Sequence, residues 1–332
     1  MSSEIILPPS LLRFRECSRD VAQTTCLKLT CQSITGVPPA TLQLAASHGK
    51  FVTWVLVMLH TESVQTLHGR ITCMESMRLL SGNEMPVVGL GTWPLKGDQC
   101  KKVLKEALGL GYTHIDTAWI YDNHREIGEY LQDTQVSRGD LFITSKIGKD
   151  YVSYDDTMVQ IDEILTDLQM DYVDLLLIHW PSDSVPMEET FRAFNEIHAA
   201  GKALSVGVSN FSVDQMEQAN ALSNAPVCVN QIKYHPSHEQ REVLHWCQQR
   251  DTIVTAYSPL GKDRILDDPI LGEIAGNHEK TAAHVCLKWL RQLGMIVIPK
   301  ASSREHLEAN LEVFDWNLSE EEMSRISAMY DA

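Results

Sequence analysis

No stretch of the chain is long and apolar enough to cross a bilayer. The most apolar one, Phe51 to Leu59, is 9 residues long and contains Thr53, against the roughly 20 residues a spanning helix needs. Cysteine at metal or disulfide spacing is also missing: the 8 cysteines are scattered, with no Cys-x-x-Cys and no His-Glu-x-x-His. That argues against a metal site or a disulfide framework and for reduced thiols in a cytoplasmic setting. Positive charge is scarce, with 28 Lys and Arg against 44 Asp and Glu and a net charge of −16. A chain with that balance is poorly suited to a nucleic-acid backbone or an anionic membrane, so neither is expected as a partner. What is present is a globular composition, 44% apolar and 22% charged over 332 residues, enough for a sizeable core.

Residues 1–73 read differently from the rest. They mix Ser, Thr and Cys into short apolar patches with no sustained period of 3.6 or 2, and carry six basic and four acidic residues, leaving −18 for the remainder. An organelle transit peptide is matched only in part, because Glu4, Glu16 and Asp20 fall near the start. The segment is read as a disordered extension ahead of one domain at 74–332, with the natural start expected at Met74 or Met77.

From Val87 onward, short runs rich in Val, Ile and Leu alternate with longer amphipathic stretches, the pattern of successive βα units around a parallel sheet. Eight candidate strands lie at 87–91, 113–117, 141–147, 173–180, 205–210, 227–232, 252–258 and 295–300, with a helix expected after each. Ser153 or Asp155 can cap the third helix and Gly201 can stop the fourth. Ser81-Gly82-Asn83-Glu84, flanked by Arg78–Leu80 and Met85–Val88, reads as a hairpin ahead of the first strand. The domain's length is close to the roughly 250 residues of a (β/α)8 TIM barrel. A doubly wound sheet is the rival α/β architecture. Against it, Gly89-Leu90-Gly91-Thr92-Trp93-Pro94 after the first strand lacks the third glycine of the dinucleotide fingerprint.

Barrel active sites sit at the carboxyl ends of the strands, so polar residues that close apolar strands are the ones to inspect. Asp116 closes the second strand, with Tyr121 in the loop beyond; Lys146 closes the third, and His179 ends the run Leu175-Leu176-Leu177-Ile178. Each has an ordinary reading taken alone: a helix cap, a buried aromatic, a solvated strand end, a structural histidine. Together they form an acid unit. An ammonium near a phenol is expected to lower its pKa from about 10, so that Tyr121 can protonate a developing alkoxide.

The blocks GYTHIDTAWIYDNHREIG at 111–128, ITSKIG at 143–148, LLLIHWP at 175–181, GKALSVGVSNF at 201–211 and VNQIKYHP at 229–236 resemble the aldo-keto reductase family. The likeness covers about 74–332 and is nearest to the bacterial-type reductases of 2,5-diketo-gluconate and α-dicarbonyl compounds. It implies NADPH, with NADH the lesser alternative, bound across the barrel mouth, and hydride transfer to an aldehyde or ketone, the cofactor carrying the chemistry. By resemblance Tyr121 is the general acid, Asp116 and Lys146 set its pKa, and His179 orients the carbonyl. Ser209, Asn210 and Gln231 match the grip on the nicotinamide amide, and Tyr257 the ring that stacks on it. Gly91, Thr92, Ser258 and Leu260 complete the cofactor channel, while Trp93 and Trp180, with Trp119 nearby, match the substrate wall.

The adenine end departs from the family pattern. In IPKASSREHLEAN, Lys300, Ser302, Ser303, His306 and Asn310 are left to hold that end, while Ala301, His306 and Ala309 replace the usual hydroxyl, Arg and Glu. His124 stands where Glu is usual, and the chain stops at Tyr330-Asp331-Ala332, where relatives continue into a tail over the pocket. The alternatives are a cofactor-binding regulatory or catalytically weak barrel, and a Schiff-base barrel enzyme using a neutral Lys146. A monomer acting on a small carbonyl compound is expected.

Overall fold

The computed structural model describes residues 75–331 apart from 135 and 262–264, together with the backbone of six short strands between Glu4 and Ile71 that pair antiparallel in chain order. Beyond those strands, the reading of 1–73 as a disordered extension lies outside the described residues. Residues 74–332 form a compact unit of their own.

That unit opens with a hairpin, β1 (Ser76–Arg78) and β2 (Glu84–Pro86), paired Met77 to Met85. Its turn is closed by Leu79 N–H donating to the Asn83 carbonyl at 2.8 Å. The hairpin exists where the sequence placed it, but its strands are shifted one to two residues toward the amino terminus. Eight parallel strands follow: β3 (Leu90–Gly91), β4 (His114–Asp116), β5 (Phe142–Ile147), β6 (Leu175–Ile178), β7 (Val206–Ser209), β8 (Val227–Lys233), β9 (Ile253–Tyr257) and β10 (Ile296–Val297). They neighbour one another in chain order. The ring closes through a parallel bridge between Val88 and Val297, with Gly89 N–H donating to the Val297 carbonyl at 2.9 Å. This is the (β/α)8 barrel expected from the spacing of the strands.

Closure depends on the two glycines that fail the dinucleotide fingerprint. A Cβ at Gly89 would lie 2.4 Å from the His114 ring, and one at Gly91 would lie 2.6 Å from the Ile298 carbonyl. These glycines permit close strand approach.

The helices differ in number from the eight expected. Around the strands run α1 (Gly97–Gly109), α2 (His124–Gln132), α3 (Tyr154–Leu168), α4 (Met187–Ala199), α5 (Val213–Leu222) and α6 (Arg241–Gln248). Both α7 (Pro269–Asn277) and α8 (Ala282–Gln292) lie between β9 and β10, and α9 (Arg304–Leu311) and α10 (Glu320–Ala328) follow the last strand. Ser153 caps α3 by accepting from Asp156 N–H, and Gly201 takes φ +73° just past α4, both as the sequence indicates.

Strand alternation creates two cores. Outward-facing Ile115, Ile143, Ile147, Leu176 and Ile178 pack against the helices. Inward-facing Phe142, Leu175, Leu177 and Ile296 fill the barrel, which hairpin residues Leu79 and Met85 plug from below. The same inward phase, continued to the carboxyl ends, presents Asp116, Lys146 and His179 to the open rim.

Candidate active site

Lys146 ends the inward row of β5 and is fully buried. Its ammonium donates to Asp116 Oδ1 at 2.6 Å and to the Thr117 carbonyl at 2.8 Å. The second carboxylate oxygen, Asp116 Oδ2, accepts from Gln231 Nε2 at 2.7 Å. Burial presses the Lys146 pKa down, but Asp116, Tyr121 and their hydrogen bonds outweigh it and hold it above the usual lysine value. The 2.6 Å ion pair with Asp116 therefore opposes a neutral Schiff-base amine at this position.

Tyr121 stands over that pair, with the Lys146 nitrogen 5.1 Å from its ring centroid. Trp93 lies against it at 5.2 Å between centroids, and His179 meets it edge-on at 5.7 Å. The phenol differs from the expectation of a lowered pKa. Burial, the largest influence, raises it; Lys146 opposes through its charge and a hydrogen bond, Asp116 reinforces the rise, and the balance is upward. Tyr121 is thus a phenol carrying its proton throughout the neutral range.

His179 closes β6 and is buried; burial first, and then the Lys146 charge, lower its pKa to about 3. It is a neutral imidazole that can serve as a hydrogen-bond donor but not as an acid at neutral pH. Its carbonyl accepts from Asn210 Nδ2 at 3.1 Å, and Asn210 Oδ1 accepts from the Tyr257 hydroxyl at 3.0 Å. Asn210 and Ser258 adopt φ +64° and +48°, and Asp122, beside Tyr121, φ +51°. Non-glycine residues in the left-handed region at strand ends mark backbone held in place by its surroundings.

These residues surround a cavity of about 280 Å3 lined by Gly91, Thr92, Trp93, Asp116, Ile120, Tyr121, His179, Trp180, Asn210, Gln231, Tyr257, Ser258, Ile298 and Lys300. Twelve of these are residues singled out in the sequence. Ile120 and Ile298 carried no polar signal there. Lys146 lies beneath the cavity, and Ser209 is spent behind it, donating to the Gln231 carbonyl at 2.7 Å.

Of the adenine-end residues, Lys300 is brought to this wall and the others are not. Ser302, Ser303 and His306 are exposed at the start of α9, where Ser303 caps the helix. Asn310 is buried and hydrogen-bonds Tyr112, and Leu260 packs against the outer core. Trp119 also stays off the wall, donating to Glu163 at 2.8 Å.

The sequence reading passed over Asn123. Fully buried, it accepts from Thr117 Oγ1 at 2.6 Å and donates to the Leu95 carbonyl at 3.1 Å. It ties the Tyr121 loop to the Trp93 loop. In the sequence it offers only an asparagine two residues after Tyr121.

Fold and site together define a (β/α)8 enzyme whose rim presents a protonated phenol, a neutral imidazole and a buried lysine–carboxylate pair. The aldo/keto reductase family model matches residues 87–331, and the chain belongs to that family. It is 36% identical over 256 residues to the glyoxal reductase of Bacillus subtilis (strain 168), covering 77% of this chain and 92% of that one. A structure assigned as a 2,5-diketo-D-gluconic acid reductase B shares 40% identity with a TM-score of 0.74, covering 77% of this chain and 91% of its own. An aldo-keto reductase solved in complex with NADPH shares 31% identity with a TM-score of 0.73, covering 77% and 88%. Members of this family are oxidoreductases acting on carbonyl compounds.

Proposed function

We propose that this chain is an NADPH-dependent reductase of small, uncharged aldehydes and α-dicarbonyl compounds, with Tyr121 as the general acid. The observation that carries the reading is the buried Lys146–Asp116 pair at 2.6 Å beneath a phenol that shares its cavity with a neutral imidazole.

The wall fits the cofactor by its donor set. Asn210 and Gln231 offer planar amides of the kind that pair with a carboxamide, Tyr257 offers a ring, and Lys300 is the only Lys or Arg among the described residues that line the cavity. Bound NADPH would supply the hydride to the carbonyl carbon. Tyr121 donates its phenolic proton to the carbonyl oxygen as negative charge develops there, and the Lys146 ammonium stabilises the phenolate left behind. The phenolate then regains a proton from solvent. His179 orients the carbonyl oxygen by donating from its ring, and Trp93, Ile120 and Trp180 exclude water around it.

The restriction to uncharged substrates follows from the same wall. Lys300 stands at the stretch read as the cofactor's phosphate end, which leaves no further Lys or Arg among the described lining residues to pair with a substrate carboxylate, and burial of an unpaired charge is costly. In this respect the wall is better suited to the glyoxal of the Bacillus relative's name than to a sugar acid.

The test follows loss of NADPH absorbance with the full-length chain, comparing methylglyoxal with pyruvate, beside Tyr121→Phe. Turnover of methylglyoxal with pyruvate reduced at least tenfold less efficiently, and little turnover by the variant, is the expected result. Binding of NADPH without turnover of either carbonyl would instead favour the cofactor-binding regulatory barrel. Equal use of both substrates would overturn the charge argument alone.

A further inference from the structure

Asp116 holds Lys146 with one oxygen, and its other oxygen is engaged by Gln231 Nε2 at 2.7 Å, with Asp116 and Gln231 both 2% exposed. We infer that Gln231 is a positioning residue for proton transfer: it fixes and partly neutralises the Asp116 carboxylate, and so controls how strongly Lys146 supports Tyr121. The inference rests on the reductase reading and adds to it a link across the barrel, from β8 to the acid on the far side of β4.

The placement has a structural origin. Between β7 and β8 the register shifts: Val206 pairs with Val227, but Val208 pairs with Asn230. Two steps on one strand oppose three on the other, a bulge that re-aims side chains near active sites. Past the bulge, Asn230 turns away and donates to the Phe211 carbonyl at 3.0 Å, while Gln231 lines the cavity. Its backbone carbonyl is held by Ser209 Oγ at 2.7 Å and Asn210 N–H at 3.0 Å, so the amide approaches Asp116 from a fixed base.

Gln231 donates through nitrogen because a carboxylate only accepts. A carboxylate that loses one of two donors in a buried site concentrates its charge on the remaining partner. Lys146 would then be drawn toward Asp116 and away from the phenolate forming on Tyr121. The other titratable groups facing Asp116 are Lys146, Tyr121 and His114; His114 is neutral well below the tested range, its pKa lowered to about 4 chiefly by burial.

The experiment uses full-length Gln231→Met and Gln231→Glu with methylglyoxal at saturating NADPH, read between pH 6 and 9, with NADPH affinity measured separately by fluorescence titration. Gln231→Met should lower kcat roughly tenfold at every pH, the weight of one hydrogen bond to a charged group, and should raise the solvent deuterium isotope effect. Gln231→Glu should approach the parent at pH 6, where its protonated carboxyl donates to Asp116, and fall away by pH 9, with circular dichroism unchanged between the two. The Glu variant carries the test if the Met variant does not fold.

A kcat for Gln231→Met within twofold of the parent, with only NADPH affinity reduced, would overturn the inference, as would a folded Gln231→Glu whose ratio to the parent does not change with pH. In both cases the parent still turns over methylglyoxal, which leaves the reductase reading standing. A parent that binds NADPH and reduces no carbonyl removes that reading and this inference together.

Discussion

In the proposed mechanism Tyr121 releases a proton in surroundings that favour keeping it. Burial raises its pKa above the ordinary phenol value against the pull of Lys146, and burial lowers His179 to about 3. The signs give a pH dependence. A raised phenol is protonated, and therefore competent as an acid, at every pH below about 10; a depressed imidazole is neutral at every pH well above 3. With NADPH and methylglyoxal, kcat should be level from pH 5 to 9. A limb centred near 6.5 would show that His179 titrates where a free histidine does, and would remove the neutral-donor role. Lys146 gives a second prediction. Lys146→Met leaves Asp116 buried without its counter-ion, which costs on the order of 3–5 kcal/mol, so its thermal midpoint should fall well below that of Tyr121→Phe. Adding Asp116→Asn should restore most of the loss without restoring turnover, as differential scanning calorimetry and an NADPH assay would report.

At the scale of elements, glycines that look alike in the sequence have opposite roles. A Cβ on Gly128 in α2 would lie 2.4 Å from the Asp167 carbonyl oxygen and 2.6 Å from the Leu168 carbonyl carbon in the last turn of α3. Backbone cannot step aside as a side-chain end can, so Gly128→Ala should destabilise by about 2–3 kcal/mol. Gly272, inside α7, has nothing within 4 Å of its would-be Cβ, and Gly272→Ala should stabilise by up to about 1 kcal/mol through helix propensity. Urea midpoints of the two variants should move in opposite directions; a common direction would contradict the packing of α2 on α3.

The elements also show what the sequence could disclose. The eight strands were legible because short runs rich in Val, Ile and Leu alternate with longer amphipathic stretches, and the polar residues Asp116, Lys146 and His179 close three of them. The bulge in β8 was not, since a register shift leaves no mark on hydrophobic periodicity; Gln231 was singled out by resemblance, but not its hold on Asp116. The extra helix α7 did carry a signal, Asp268 before Pro269, and Asp268 caps it by accepting from Ile270 N–H at 2.8 Å. The raised phenol could not be read from residue types, because the sequence displays the lysine but not the depth of burial that outweighs it. The four rim residues converge, while Ser302, Ser303 and His306 stand outside the cavity wall, since segment order does not reveal where a helix surface faces.

Over the described barrel, acid stability is set by histidines that the fold keeps neutral. His114 is buried under the rim, its ring nitrogens 3.1 Å from Thr144 Oγ1 and 3.3 Å from the Pro86 carbonyl, which ties the hairpin plug to the barrel. His124 is buried beside Ser145 Oγ at 2.9 Å, and His179 closes β6. Burial is the leading cause in each case, bringing His114 to about 4 and His124 and His179 to about 3. An unfolded histidine titrates near 6.5, so between about 6.5 and 4 the unfolded chain binds protons that the folded chain refuses. Stability is therefore complete above about 6.5 and is lost as the pH falls, each histidine approaching about 1.4 kcal/mol per pH unit inside that window. Carboxylates with lowered values, such as Glu312 and Glu322, contribute their losses below about 4.5 and leave the upper part of the window to the histidines. The urea midpoint of the full-length chain should accordingly fall steeply between pH 6.5 and 5 and hold level between pH 7 and 8. His114→Asn should reduce that slope without abolishing it, because one of several proton uptakes is removed while those of His124 and His179 remain. A midpoint unchanged from pH 7 to 5 would mean that these rings take up protons in the folded barrel, and the neutral imidazole assigned to His179 would fall with it.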